Sequence, residues 1–175
     1  LGAAAEEIRP EQPMPGEFMW RVRVAGEDIV ARNIVLAIPA YESATLVAPF
    51  MPAAAAALEA IPYVPVAAVH LGFKTALVGR EPNGFGFLST PSDNSEVMGC
   101  IWSSSLFGGR APEGHHLFTS FMGGARREDL PGLPDNELVN RALTDLCGTM
   151  KISGRPDFVR VSRHPRGIPQ YTRGH

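Results

Sequence analysis

The sequence has 175 residues, of which 45% are hydrophobic and 19% are charged. This balance provides enough apolar side chains for one ordinary core and excludes a disordered chain. The formal net charge is −2, and the 16 lysines and arginines are scattered in singles and pairs. Because a nucleic-acid-binding surface requires clustered positive charge, we expect no nucleic-acid partner.

The sequence carries no membrane-spanning or secretion signal. No apolar run reaches the roughly 18 residues that a membrane-spanning helix needs, and residues 1–7 lack the basic segment that opens a signal peptide. Because the first residue is Leu1 rather than methionine, we interpret the chain as an excerpt from a longer polypeptide. Cys100 and Cys147 each lie in an apolar-periodic segment, which favours two buried thiols over a disulfide or a metal site.

The first predicted elements form a small β-meander that leads into a larger sheet. Apolar and mostly charged side chains alternate over residues 18–24, the pattern of a half-buried strand. Residues 25–28 form a turn into a short return strand at 29–32. The run at 34–38 is continuously apolar and stops at Pro39, as expected for a strand buried on both faces.

The next two elements are predicted to be a helix and a long strand. Pro52 can occupy the first helical turn, ahead of the alanine-rich residues 53–60. Residues 64–73 alternate again, and Pro65 places the start of this strand at an edge or a bulge. His70 lies on the opposite face of the strand from its larger apolar residues, so we expect it to be exposed or hydrogen-bonded rather than a metal ligand.

Residues 83–126 are predicted to form the wall of a ligand pocket. Strands are expected at 85–89, 96–103 and 115–122, separated by segments rich in proline, glycine and serine. Glycines in and beside these strands permit positive φ angles and close approach of a second surface. The aromatic side chains of this stretch include Phe85, Phe87, Trp102, Phe118 and Phe121. A flat apolar ligand could lie against such a surface.

The clearest helix is predicted at residues 134–150. Its apolar positions form a stripe typical of core packing, namely Leu138, Val139, Ala142, Leu143, Leu146 and Cys147. A last alternating strand is expected at 157–163. Roughly seven or eight short strands and two or three helices predict an α+β domain, with a mixed or mainly antiparallel β-sheet and helices packed on one face.

Familiar catalytic motifs are absent from the sequence. It contains no glycine-rich dinucleotide or phosphate loop, no nucleophile elbow and no paired-histidine zinc motif. His115 and His116 are adjacent in a strand, so they point to opposite faces and cannot bind one metal ion. Serines 103–105 are interpreted as a solvated strand end rather than a nucleophile, and Gly123 and Gly124 as a bulge or a tight bend.

Seven short motifs, in order along the chain, carry a resemblance to one enzyme family. They are residues 34–40 (IVLAIPA), 61–64 (IPYV), 84–88 (GFGFL), 102–107 (WSSSLF), 110–114 (RAPEG), 123–125 (GGA) and 168–172 (IPQYT). Together they resemble the middle portion of the oxygen-dependent, FAD-containing protoporphyrinogen and coproporphyrinogen oxidases of haem biosynthesis. These enzymes belong to the flavin amine-oxidase superfamily.

The resemblance implies part of a two-domain flavoprotein that transfers hydrides from a porphyrinogen to FAD, which oxygen then reoxidises with release of peroxide. It implies that residues 1–40 are a segment of the FAD-binding domain, 41–163 the substrate-binding domain and 164–175 the start of the return to the FAD-binding domain. Because the family's dinucleotide fingerprint is not in the sequence, we expect this chain alone to be inactive. The resemblance also implies a cytoplasmic protein, and it leaves open a peripheral contact with the inner face of the membrane and a dimeric state.

Five residues are predicted from the resemblance to contact ligands. Phe85, Gly86, Leu88 and Ile101 match positions that line the family's macrocycle site. Phe85, Leu88 and Ile101 would sandwich the tetrapyrrole, and Gly86 would allow its close approach; an ordinary strand core is the alternative. Ala5 stands where the family often has a valine beside the adenine of FAD.

Some questions of function stay open at the level of the sequence. Protoporphyrinogen and coproporphyrinogen are not distinguished, and no residue is a convincing general acid or base. Two other interpretations are the substrate domain of another flavin amine-oxidase relative, acting on an amine or a carotenoid, and a non-catalytic module that binds a tetrapyrrole or a partner.

Overall fold

The structure is a computed structural model that describes residues 2–174. Contacts divide the chain into two compact units, one reaching to Pro62 and resuming at Tyr171, the other spanning Tyr63–Gln170. We call them the meander unit and the sheet unit. The domain boundaries predicted after residues 40 and 163 fall inside these units rather than between them. The division into FAD-binding and substrate-binding domains stays a prediction. No helix of the described residues is both long and apolar enough to cross a membrane.

The meander unit contains an antiparallel sheet of three strands. In sheet order these are β1 (Ala5–Glu11), β2 (Met19–Val24) and β3 (Glu27–Ala31). Ala25 and Gly26 join β2 to β3 with φ angles of 51° and 80°, the double positive φ that suits a two-residue hairpin. The predicted strand and return strand are therefore confirmed. The sequence did not predict β1, because it carries four charges and buries only Ile8.

Two helices complete the meander unit, α1 (Ala40–Val47) and α2 (Pro52–Glu59). They pack through a small cluster made of Ala44, Val47, Phe50, Ala55 and Leu58. The predicted helix at Pro52 is confirmed, with the proline in its first turn, whereas α1 was not predicted.

The prediction of a doubly buried strand at residues 34–38 is wrong for this chain. The segment has no regular structure, and Val35 is 88% exposed. A strand buried on both faces needs paired neighbours, and none of the described strands pairs with this segment. The meander therefore does not lead into a larger sheet.

The sheet unit is built on a five-stranded sheet in which every pair of neighbours is antiparallel. In sheet order the strands are β5 (Gly86–Leu88), β6 (Val97–Trp102), β7 (His115–Gly123), β4 (Tyr63–Lys74) and β8 (Phe158–Pro169). The pairing of β4 with β8 shifts register between Val64 and Val66, so Pro65 lies in a bulge, as predicted. The last strand is longer than predicted, because β8 is an edge strand and an edge tolerates Pro165.

One face of the five-stranded sheet is covered by helix α4 (Asp135–Met150), and a one-turn helix, α3 (Ser103–Leu106), follows β6. The fully buried residues of α4 are Leu138, Ala142, Leu146 and Met150, which pack with sheet residues such as Val69, Leu71, Phe118 and Met122. The predicted apolar stripe and the α+β fold are thus confirmed. We call the other side of this sheet the distal face.

Candidate functional site

Three of the four predicted substrate contacts share the distal face. Gly86 pairs with Ile101, and Leu88 pairs with Gly99. Directly paired residues of antiparallel strands project to the same side, as do residues two apart in one strand. The register of β5 against β6 therefore brings Gly86, Leu88 and Ile101 together.

Leu88 and Ile101 are not part of the core of the sheet unit. Leu88 is 86% exposed and Ile101 37% exposed. The side chain of Leu88 lies over Gly99, where an added Cβ would come within 2.7 Å of Leu88 Cδ2. Both residues border an open apolar groove of about 250 Å³, whose other lining residues are Phe87, Met98, Gly99, Cys100, Phe121 and Ile168. This groove is a concave surface of the kind that an apolar ligand can cover.

Phe85 and Gly86 form the entry to β5. Phe85 is 81% exposed, and its carbonyl accepts a hydrogen bond of 2.9 Å from the Trp102 N–H. Gly86 has a φ of 144°, and a Cβ there would lie 1.9 Å from the carbonyl oxygen of Cys100. The pairing of β5 with β6 thus requires glycine at position 86 without any ligand, and the close approach of a macrocycle there stays a prediction.

A polar row crosses the distal face beside the groove. It consists of Arg160, His70 and Thr119, and the same register row continues through Ile101 to Gly86. His70 Nδ1 lies 3.1 Å from Thr119 Oγ1, which lies 2.8 Å from the hydroxyl of Ser103. His70 is therefore hydrogen-bonded, as predicted. Desolvation lowers the pKa of His70, and the charges of Arg160 and His164 lower it further, so the imidazole is neutral near pH 7.

Sequence reasoning did not single out Thr119 and Arg160. Thr119 is buried within an apolar strand, and Arg160 alternates with apolar residues in β8, as many surface arginines do. Only the strand order, which places β4 between β7 and β8, brings both residues next to His70.

Other candidates from the sequence have structural roles. His115 contacts Asp157 and the carbonyl of Glu113 at 3.0 and 3.1 Å, and no group of three metal-ligating side chains occurs within residues 2–174. The interpretation of serines 103–105 as a strand end is wrong, because they form α3, and the buried Ser103 bonds to Thr119. Gly123 and Gly124 have φ angles of 118° and 71°, which fits the predicted tight bend.

Both cysteines are free thiols, and the prediction that they are buried is confirmed for Cys100 but not for Cys147. Cys100 is buried and Cys147 is half-buried. Burial raises the pKa of Cys100 to about 11 and also raises the pKa of Cys147. At neutral pH both are protonated, and neither has the low pKa of a reactive cysteine.

Ala5, the predicted cofactor contact, lies at the start of β1. It is exposed and pairs with Val24, and the pairing is irregular between Ala5 and Glu7. Because β1 is an edge strand, one side of its backbone carries N–H and C=O groups that no other strand of this sheet binds. The contact of Ala5 with the adenine of FAD stays a prediction.

Curated relatives are porphyrinogen oxidases. The chain is 35% identical over 156 residues to the chloroplastic protoporphyrinogen oxidase of Oryza sativa subsp. japonica, which covers 84% of this chain and 29% of the rice protein. It is 36% identical over 110 residues to the coproporphyrinogen III oxidase of Bacillus subtilis (strain 168), which covers 63% of this chain and 23% of that protein. The chain thus spans less than a third of the length of these relatives.

Solved structures share the fold at low sequence identity. A structure from Exiguobacterium sp. 255-15, provisionally named a protoporphyrinogen oxidase, has a TM-score of 0.61 at 22% identity, covering 99% of this chain and 36% of that one. Cyclohexylamine oxidase from Brevibacterium oxydans IH-35A has a TM-score of 0.61 at 16% identity, covering 92% and 34%. The model of the family described as flavin containing amine oxidoreductase matches residues 6–175. The chain therefore belongs to the flavin containing amine oxidoreductase family.

Proposed function

We propose that this chain is the substrate-binding portion, with adjoining parts of the FAD-binding domain, of a porphyrinogen oxidase of haem biosynthesis. The complete enzyme would oxidise protoporphyrinogen IX or coproporphyrinogen III to the porphyrin with FAD and oxygen. The observation that carries this proposal is the identity of 35% over 156 residues to a protoporphyrinogen oxidase.

The distal face supports the proposal chemically. A porphyrinogen is a large apolar macrocycle, so its binding depends mainly on burial of ring surface, at about 25 cal/mol per Å². Leu88 and Ile101 offer exposed apolar surface on this face, and Phe85 offers more at the entry to β5. Gly99 leaves room for the Leu88 side chain, which lies over it.

FAD supplies the hydride acceptor when it is bound, and this chain would contribute only part of its site. Ala5 on the edge strand β1 is the residue of this chain that would lie beside the adenine. The residues of the distal face would orient the macrocycle and exclude water. None of them needs to be a general acid or base if the hydride leaves the ring directly.

The test uses the full-length protein that contains this chain, purified with its flavin. Porphyrin fluorescence and oxygen consumption are followed after addition of protoporphyrinogen IX, coproporphyrinogen III or cyclohexylamine. Porphyrin formation above autoxidation, with no oxidation of the amine, is the expected result. Turnover of the amine alone would replace the proposal with an amine oxidase, a fold-level relative of this chain.

Turnover with one porphyrinogen and not the other would also identify the substrate. Dimerisation and peripheral membrane contact stay predictions for the full-length protein. Gel filtration and sedimentation with lipid vesicles measure them directly.

A further inference from the structure

We infer that Arg160 and His70 form a carboxylate-binding site on the distal face, which holds an acidic tail of the tetrapyrrole while its ring covers the apolar groove. This inference rests on the proposed function and adds the group that orients the substrate. Porphyrinogens carry propionate side chains on the rim of the ring, two on one edge in protoporphyrinogen IX and one on each pyrrole in coproporphyrinogen III, so either macrocycle can present a carboxylate at an edge.

Among the residues that the structure describes, Arg160 has no counter-ion. Its side chain is exposed and makes no hydrogen bond or ion pair within residues 2–174. Three other arginines of the sheet unit have counter-ions: Arg127 contacts Asp129 at 2.9 Å, Arg141 contacts Glu96, and Arg163 contacts Asp135 at 2.6 Å. A free guanidinium beside an apolar groove can bind a carboxylate through two parallel hydrogen bonds.

His70 provides a second donor next to Arg160. The two residues are direct partners in the pairing of β4 with β8, so their side chains leave the sheet on the same side. The other side chain whose interaction lowers the pKa of His70 is His164, which is basic as well. No acidic side chain competes for this site in the interactions of Arg160 and His70 within the described chain.

The hydrogen-bond chain behind His70 can hold the required tautomer. If the Ser103 hydroxyl donates to Thr119 and the Thr119 hydroxyl donates to Nδ1 of His70, then Nε2 carries the proton. A neutral imidazole in this form donates Nε2–H to an anion. If these hydrogen bonds ran in the opposite direction, Nε2 would be an acceptor without a proton. A carboxylate beside it would disfavour that arrangement, because neither group could donate.

The dimensions of the sheet match a tetrapyrrole that lies across it. Ile101 and Arg160 belong to one register row and are separated by three strand intervals. Three intervals correspond to about 14 Å between the backbones, which is comparable to the width of a porphyrinogen with its side chains. A ring resting on Leu88 and Ile101 would therefore direct its propionate edge along the row, toward His70 and Arg160.

The experiment compares an acid with its ester in the full-length protein. Coproporphyrin III and its tetramethyl ester have the same ring, but only the acid carries charged tails. Dissociation constants for both are measured by fluorescence titration at one detergent concentration, in wild type, Arg160→Gln, His70→Phe and Arg155→Gln. Arg155 is the matched control, because it is exposed and unpaired within residues 2–174 but lies in the loop before β8.

We expect Arg160→Gln to weaken binding of the acid about tenfold and His70→Phe about fivefold, with the ester and the Arg155→Gln variant unaffected. In turnover, Arg160→Gln should raise KM and leave kcat near the wild-type value, because the contact is equal in ground and transition states. Unchanged binding of the acid, or equal weakening of acid and ester, would overturn the inference. If the wild-type enzyme oxidises porphyrinogens and Arg160→Gln behaves identically, the carboxylate site alone is overturned. If the wild-type enzyme does not oxidise any porphyrinogen, the proposed function is overturned as well.

Discussion

Replacing Leu88 with alanine separates a ligand contact from a packing contact. The side chain is 86% exposed, so its removal should change the free energy of unfolding by no more than about 0.5 kcal/mol. If a macrocycle covers it, the lost burial amounts to about 1.5–3 kcal/mol of binding free energy. The dissociation constant for the porphyrin should therefore rise about 10- to 150-fold in the full-length enzyme.

The matched control is Leu138→Ala, which removes the same atoms from a side chain with 0% exposure in α4. It should lower the free energy of unfolding by about 2–5 kcal/mol, without changing the porphyrin affinity of the folded enzyme. Urea unfolding and fluorescence titration measure the two quantities on the same preparations. If Leu88→Ala binds the porphyrin like wild type, or loses as much stability as Leu138→Ala, the assignment of Leu88 to the ligand surface is refuted.

Four further outcomes are expected. Gly86→Ala should cost roughly 1–3 kcal/mol of stability through its clash with the Cys100 carbonyl, and unfolding equal to wild type would contradict the geometry of β5. Asp145→Ala should cost about 1–3 kcal/mol, because its carboxylate accepts hydrogen bonds from the Ser95 hydroxyl and from the N–H groups of Glu96 and Val97; urea unfolding tests this change too. At pH 8, iodoacetamide should modify the half-buried Cys147 before Cys100, whose pKa is about 11, as peptide mass mapping would record. The purified 175-residue chain should be colourless and produce no peroxide from porphyrinogen, since the dinucleotide fingerprint is absent; stoichiometric flavin absorbance would reveal a complete cofactor site.

Local sequence patterns predicted most elements of the sheet unit because their cause is local. The period-2 alternation in β4, the glycines that open β5 and the apolar stripe of α4 each follow from burial of one face against the sheet core. Pro65 could be assigned to a bulge because a proline removes one hydrogen-bond donor from a strand.

The wrong strand prediction at residues 34–38 and the missed helix α1 have a different physical origin. The run at residues 34–38 has the composition of a doubly buried strand, but composition specifies only a tendency to be buried, and burial requires partners. With Val35 88% exposed, the described chain provides none. Helix α1 was missed for a related reason, since its polar residues, such as Ser43 and Thr45, obscure the small apolar face that packs on α2.

Some residues of the candidate site could be predicted from the sequence, whereas others depend on the order of the strands in the sheet. Leu88 and Ile101 were predicted from the family resemblance, because the short sequences beside them can be matched along the chain without knowledge of the sheet. The polar row could not be predicted, since Arg160 and Thr119 are 41 positions apart in the sequence and meet only through the pairing of β7 and β8 with β4. The antiparallel register therefore places His70 beside Arg160, so that both can donate to one anion. Substitutions that shift the register of β8 should therefore impair recognition of the carboxylate while leaving the pairing of β5 with β6, which positions Leu88 and Ile101, intact.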